Sequence, residues 1–93
     1  MIKSFKCKET EKIWNEIFSK KFPPEIQKRA LQKLLLIEYA NCLFDLKIPP
    51  KNCLEALKGN RQGQYSIRVN NQYRICFRWL DNHAFEVEIV DYH

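Results

Sequence analysis

Two groups of residues hold most of the chemistry this sequence can offer. Between Glu55 and Asp81 there is no acidic residue, yet Lys58, Arg61, Arg68, Arg74 and Arg78 all lie there. Such a block suits a polyanionic partner, with nucleic acid the first candidate, although a solvated face of ordinary charges has the same composition. The second group is Asp91-Tyr92-His93, on which the sequence stops. A carboxylate, a phenol and an imidazole can accept, donate or move protons. Chain ends fray unless something holds them, so the triplet is either an idle end or is carried to a place that needs it.

Bringing positions 58, 74 and 91–93 together requires strands, and the last third of the chain has their pattern. In QYSIRVNNQYRICFRWLDNHAFEVEIVDYH, Tyr65, Ile67, Val69, Tyr73, Ile75, Phe77, Trp79, Phe85, Val87 and Ile89 are apolar or aromatic at odd positions. Ser66, Arg68, Arg74, Cys76, Arg78, Glu86 and Glu88 fall on even ones. Period two means strands with one buried face. A two-residue loop at Asn70-Asn71 would set Ile67 against Arg74. A three-residue loop, Asn70-Asn71-Gln72, sets Val69 against Tyr73, Ile67 against Ile75 and Arg68 against Arg74, and burial selects that register. The same parity predicts Asp81-Asn82-His83 as the second loop, with Phe77 opposite Val87 and Arg78 opposite Glu86. His83 then reads as an ordinary loop residue.

The register has a chemical consequence. Arg78 has Glu86 beside it, whereas Arg68 and Arg74 face each other, with Glu88 only diagonal to Arg74. Like charges directly opposite repel, and an uncompensated arginine pair on a rigid sheet suits a phosphate. Extending the last strand places Tyr92 on the polar face near Arg74, Asp91 opposite Tyr73, and His93 at the rim.

Upstream, IKSF suggests a short strand. TEKIWNEIFSKK places Ile13 and Ile17, and Trp14 and Phe18, at i,i+4, which predicts a helix capped by Thr10 with Lys20 and Lys21 at its end. Pro23-Pro24 opens a second helix to about Asn41, with Ile26, Ala30, Leu34 and Ile37 as its apolar stripe. Trp14, Phe18, Tyr65, Phe77 and Trp79 read as core. DLKIPPKN is a connector, CLEAL a brief strand and KGNRQG a turn.

Bulk composition sets the frame. Ninety-three residues suit one domain, 1–93. With 45% hydrophobic and 29% charged residues, the chain reads as folded and not disordered. No stretch approaches the ~20 apolar residues of a membrane span, and the N-terminus lacks a secretory apolar region, so a cytoplasmic location is expected. Cys7, Cys42, Cys53 and Cys76 form no C-x-x-C pair and read as reduced, mostly buried thiols, without a zinc site or disulfide framework.

ALKGNRQGQYSIRVNNQYRICFRW followed by VEIVDYH resembles the HigB-type toxins of the RelE/ParE toxin–antitoxin superfamily, and the likeness runs over nearly the whole chain. The resemblance implies an α+β fold: a small twisted, mainly antiparallel sheet with two N-terminal helices packed on one face. It implies a ribosome-dependent mRNA endonuclease that uses no metal or other cofactor and drives a 2′-hydroxyl onto the adjacent phosphate. Carried over by position, Lys58 of LKGNR and Arg74 of QYRI match basic residues of the family's active face, and Asp91, Tyr92 and His93 match its C-terminal triplet. His93 is then the general acid or base, Asp91 orients it, and Tyr92 stacks on a base. Arg74 and Lys58 stabilise the transition state, and Arg68, Arg61 and Arg78 contact RNA.

One departure stands out. Some members carry a histidine three residues before the lysine, where this chain has Glu55, which implies weaker activity or heavier dependence on His93. Two other readings compete: a ParE-like gyrase inhibitor that cuts nothing, and a catalytically weak toxin retained as a co-repressor. All three imply a HigA-like helix-turn-helix antitoxin, with operator DNA met only through it. The first adds the ribosome and mRNA as partners, and none involves a membrane.

Overall fold

Pro24 stands at the start of the longest helix, where a missing N–H goes unused and its fixed φ fits. This helix, α2 (Pro24–Tyr39), buries Ile26, Ala30, Leu34 and Ile37, the stripe its spacing predicts. It ends two residues before the expected Asn41, because Ala40 is already extended. The computed structural model describes residues 1–92; His93 lies outside the described residues.

The first helix, α1 (Lys8–Trp14), departs from expectation at both ends. Cys7 holds the N-cap position, and Thr10 is fully buried inside the helix. Its hydroxyl accepts the Ile89 N–H at 2.9 Å, so Thr10 ties the helix to the sheet and caps nothing. The helix stops because Glu16 turns left-handed (φ 60) and the Ile17 N–H closes back on Lys12 O at 2.8 Å. Ile17 and Phe18 are therefore 54% and 60% exposed, and Phe18 is not core. Ser19 is buried instead, donating to Glu9 Oε1 at 2.7 Å while its N–H meets Gln27 Oε1 at 3.1 Å. Lys20 and Lys21 fall beyond the helix.

Four antiparallel strands follow in sheet order: β1 (Glu55–Ala56), β2 (Gln64–Arg68), β3 (Tyr73–Leu80) and β4 (His83–Asp91). Three 3₁₀ turns, Leu43–Lys47, Pro50–Asn52 and Gly59–Arg61, occupy the connections. The β2–β3 register is the one parity demands: Ile67 opposite Ile75, and Arg68 opposite Arg74. Asn70 closes that loop with its side-chain oxygen, accepting the Gln72 and Tyr73 N–H groups at 2.8 and 2.7 Å.

The β3–β4 connection is different. Leu80 pairs with His83, so the turn is the two-residue Asp81-Asn82, both with positive φ (50 and 63). His83 is the first residue of β4 and not part of the loop. A bulge between Cys76 and Arg78, with Glu86 at φ 53, absorbs one residue of β4. Arg78 consequently lies opposite Phe85, though its Nε still reaches Glu86 Oε2 at 3.0 Å. Beyond the bulge the expected register returns, with Ile75 opposite Ile89 and Tyr73 opposite Asp91.

The odd face of the sheet meets α1 and α2 in one core containing Ile13, Ile26, Leu34, Ile37, Ile67, Ile75, Phe77 and Val87, with Trp14, Tyr65 and Trp79 packed at its margin. IKSF forms two parallel bridges along the outside of β4, Ile2 to Ala84 and Phe5 to Val87, rather than a full strand. Only Cys76 of the four free cysteines is buried; Cys7 is half-buried, and Cys42 and Cys53 are exposed. Among the described residues no helix is long and apolar enough to cross a membrane.

Candidate active site on the polar face of the sheet

The even-numbered face carries the candidate site, and register builds it row by row. Glu55, Ser66, Cys76 and Glu88 are successive cross-strand partners, one from each strand. The next row toward the β2–β3 loop is Arg68, Arg74 and Val90. Ser66 and Cys76 are fully buried and form the floor. Burial pushes the Cys76 thiol above its ordinary value of 9.0, so it sits there as a neutral group despite Arg61 and Arg74 nearby.

Arg74 is fixed over this floor. Its Nε donates to Ser66 Oγ at 2.8 Å and its Nη2 to the Cys53 carbonyl at 2.5 Å. Cys53 itself is left-handed (φ 47, ψ 52) at the end of the Pro50–Asn52 turn. Tyr92 lies across the guanidinium, with Cζ 5.7 Å from the ring centroid, within cation–π range. Its position is set by the backbone, since Tyr92 N–H reaches Gln72 O at 2.6 Å. No carboxylate pairs with Arg74 among the described residues. Both acceptors are neutral, and no described residue takes up the remaining guanidinium donors, which could meet an anion.

The other candidates divide by how their charge is met. Arg68 donates through Nε to Asn70 O at 3.2 Å and through Nη2 to Asn71 Oδ1, again without a carboxylate. Arg61 binds Glu88 Oε2 at 3.1 Å and Gln64 Oε1 at 3.2 Å, and the Glu88 contact raises its pKa. Lys6 also approaches Glu88, at 3.7 Å. The carboxylate diagonal to Arg74 is thus engaged by Arg61 and Lys6 instead. Arg78, paired with Glu86, stands at the other end of the sheet and does not join the Arg74–Tyr92 group. Lys58 is exposed at the start of the Gly59–Arg61 turn, without an ion pair among the described residues.

Asp91, opposite Tyr73 at the end of β4, is exposed and accepts Gln72 Nε2 at 3.1 Å. Arg61, Glu88 and Asp91 share the lining of a cavity of about 310 Å³ beside the end of β4. Glu55 occupies the row next to Arg74, directly opposite Arg74's hydrogen-bond partner Ser66. Sequence reading did not single out Ser66, Cys76 or Gln64, although their even positions among the strand residues mark the polar face. Among the described residues no group of three or more His, Cys, Asp or Glu side chains is placed to hold a metal ion.

Residues 3–93 match the model of the HigB-like toxin family, the RelE-like toxins of the type II toxin–antitoxin system HigB. This chain belongs to that family. It is 45% identical over 62 residues to Toxin HigB-1 of Vibrio cholerae, a match spanning 67% of this chain and 65% of that protein. The chain thus spans just under two thirds of that relative's length. Endoribonuclease HigB of Proteus vulgaris is 31% identical over 93 residues, the full length of both. Among solved structures, a chain of the YoeB–YefM complex from Staphylococcus aureus superposes with a TM-score of 0.62. At 21% identity, and covering 100% of this chain and 98% of that one, the likeness establishes the α+β fold. Glu55 lies on the same face of the sheet as Arg74.

Proposed function

We propose that this protein is a ribosome-dependent mRNA endonuclease, the toxin of a type II pair held in check by a HigA-like helix-turn-helix antitoxin. The 93 residues act as one toxin domain in the cytoplasm, and operator DNA is met only through the antitoxin. The observation that carries the reading is the Arg74–Tyr92 pair. β4 delivers an aromatic ring against a guanidinium that no carboxylate among the described residues neutralises.

In the reaction, a base removes the proton from a 2′-hydroxyl and the oxygen attacks the adjacent phosphorus. The 5′-oxygen leaves with a proton supplied by the protein, giving a 2′,3′-cyclic phosphate and a 5′-hydroxyl. The pentavalent transition state gains negative charge, which Arg74 is positioned to meet, with Arg68 beside it in the same row and Lys58 assigned the same task from its turn. Preorganised charge of this kind is often the largest contribution to catalysis. Tyr92 stacks on a base, His93 moves the protons, and Asp91 orients His93. Proton transfer by such a group contributes roughly 10²–10⁴-fold. No metal is required by this chemistry.

The test is induced expression of wild type and His93→Ala, with primer-extension mapping of mRNA ends. Cuts inside translated codons that vanish in the variant and under a translation block are the expected result. Growth arrest without cuts would overturn it in favour of a gyrase inhibitor. Glu55, a carboxylate on the same face, favours one second reading: a weak nuclease retained as a co-repressor.

A further inference from the structure

Away from the Arg74 floor, a second set of cations converges on a cavity of about 390 Å³ between α2 and the Pro50–Asn52 turn. Arg29 and Lys33 reach it from the helix, Lys51 from the turn and Arg68 from the end of β2. Among the described residues no carboxylate lines it, and none of the four side chains makes an ion pair. Lys33 shows the consequence: its pKa is lowered by burial first, and then by Arg29, Arg68 and Lys51. Folding has concentrated like charge here with no carboxylate partner among the described residues.

The cluster is also held in place. Asn52 is fully buried and its amide nitrogen donates to Leu46 O and Ile48 O at 3.1 and 3.3 Å. Its oxygen is thereby turned toward Lys33 Nζ, 2.6 Å away. Satisfying Asn52 accounts for Lys33 alone; it does not account for Arg29, Lys51 and Arg68 at the same cavity. Arg68 is fixed from behind by Asn70 O and Asn71 Oδ1.

We propose that this cavity is a binding site for the sugar–phosphate backbone of RNA, flanking the Arg74 centre. The proposal rests on the endonuclease reading for the identity of the polymer. Arg68 and Arg74 are direct cross-strand partners. The Val69 N–H bonds Tyr73 O, which makes Arg68 and Arg74 the close, non-hydrogen-bonded pair, with Cα atoms about 4.5 Å apart. The band of cations is therefore continuous from α2 to the candidate active site, as a polymer with a charge on every residue requires. An acidic peptide fits less well. Val69 is the single apolar residue in the lining, whereas peptide interfaces draw on buried apolar anchors, and phosphate contacts need only charge and donors.

The experiment measures binding of a short 2′-O-methyl oligoribonucleotide, which lacks the attacking hydroxyl and stays intact, across a salt series. Wild type is compared with Arg29→Gln/Lys51→Gln and with Lys3→Gln/Lys8→Gln, which removes the same net charge elsewhere. All four of these side chains are exposed and make no hydrogen bond within the described chain. Each single-strand phosphate contact contributes about 0.7 to the slope of log K against log salt, so the first variant should lower the slope by about 1.4 and the control by far less. Equal slopes in all three proteins, or equal loss in the control, would overturn the proposal. So would poly-L-glutamate competing as well as RNA through Arg29 and Lys51, which would assign the site to an acidic peptide. If the slope falls as expected while wild type cuts no mRNA in cells, the site stands and the endonuclease reading falls.

Discussion

Arg74→Lys tests the candidate site most directly, because it keeps the charge and removes the geometry. Arg74 is held by two charge-assisted hydrogen bonds, to Ser66 Oγ and Cys53 O, and lies against Tyr92. Lysine has a point charge on a flexible stem and cannot reproduce that planar, two-point hold. Losing one well-placed charged hydrogen bond to the transition state is worth about 1.5–3 kcal/mol, which corresponds to roughly 10- to 100-fold in rate. Ser66 Oγ, fully buried, would lose its partner as well, for about 1–3 kcal/mol of stability. The assay is single-turnover cleavage of a ribosome-bound message, read beside thermal unfolding. Ser66→Ala and Arg68→Lys separate the two effects, since the first removes only the support and the second only the neighbouring charge geometry. Both should lose less than tenfold in cleavage. Wild-type cleavage by Arg74→Lys would refute the argument, as would an equal loss in Ser66→Ala, which would make the effect one of stability alone.

Other outcomes follow from contacts already described. Thr10→Val removes the hydroxyl that accepts the buried Ile89 N–H and should destabilise the fold by about 1–3 kcal/mol in chemical denaturation, with no change in m-value. Glu55→Gln removes a negative charge from the row beside Arg74; cleavage should rise a few-fold, and a fall would assign Glu55 a role in proton transfer. Cys76 has a folded pKa above the ordinary 9.0 because burial penalises the thiolate. The unfolded chain therefore loses this proton first, and stability should decline as pH rises from about 9.0 toward the folded value. Cys76→Ala should flatten that part of the pH–stability curve measured by urea unfolding.

Parity made the β2–β3 hairpin readable, because a one-residue slip would have driven Arg74 into the core and Ile75 out of it. The same rule misplaced the β3–β4 turn for a definite reason. A three-residue loop and a two-residue turn followed by a one-residue bulge leave the distal strand in the same register, so alternation alone cannot distinguish them. Tyr92 still reached Arg74, as expected, because that register is what both solutions share. Helix α1 failed differently: Ile17 and Phe18 continue its apolar spacing, but Glu16 ends it, and the buried Ser19–Glu9–Gln27 network that pins the following loop has no periodicity to detect. At the site, Arg74 and Tyr92 were legible from register. The engagement of Glu88 by Arg61 was not, since it joins residues 27 apart through a turn whose course no pattern dictates.

The bridges along the outer side of β4 bear on how the site-bearing strand behaves. By sheet order β4 is an edge, and an unpaired edge is a template for another chain. Here Ala84 N–H binds Met1 O, Val87 exchanges bonds with Ser4 and Lys6, and Ile89 N–H is taken by Thr10. Ile2 N–H is in turn anchored to Glu38 on α2 at 2.8 Å. The strand is thus closed to strand exchange through Ile89, almost to the residues it presents. The first residues of the chain thus do for β4 what a fifth strand would, and leave little of its edge for a second copy to pair with.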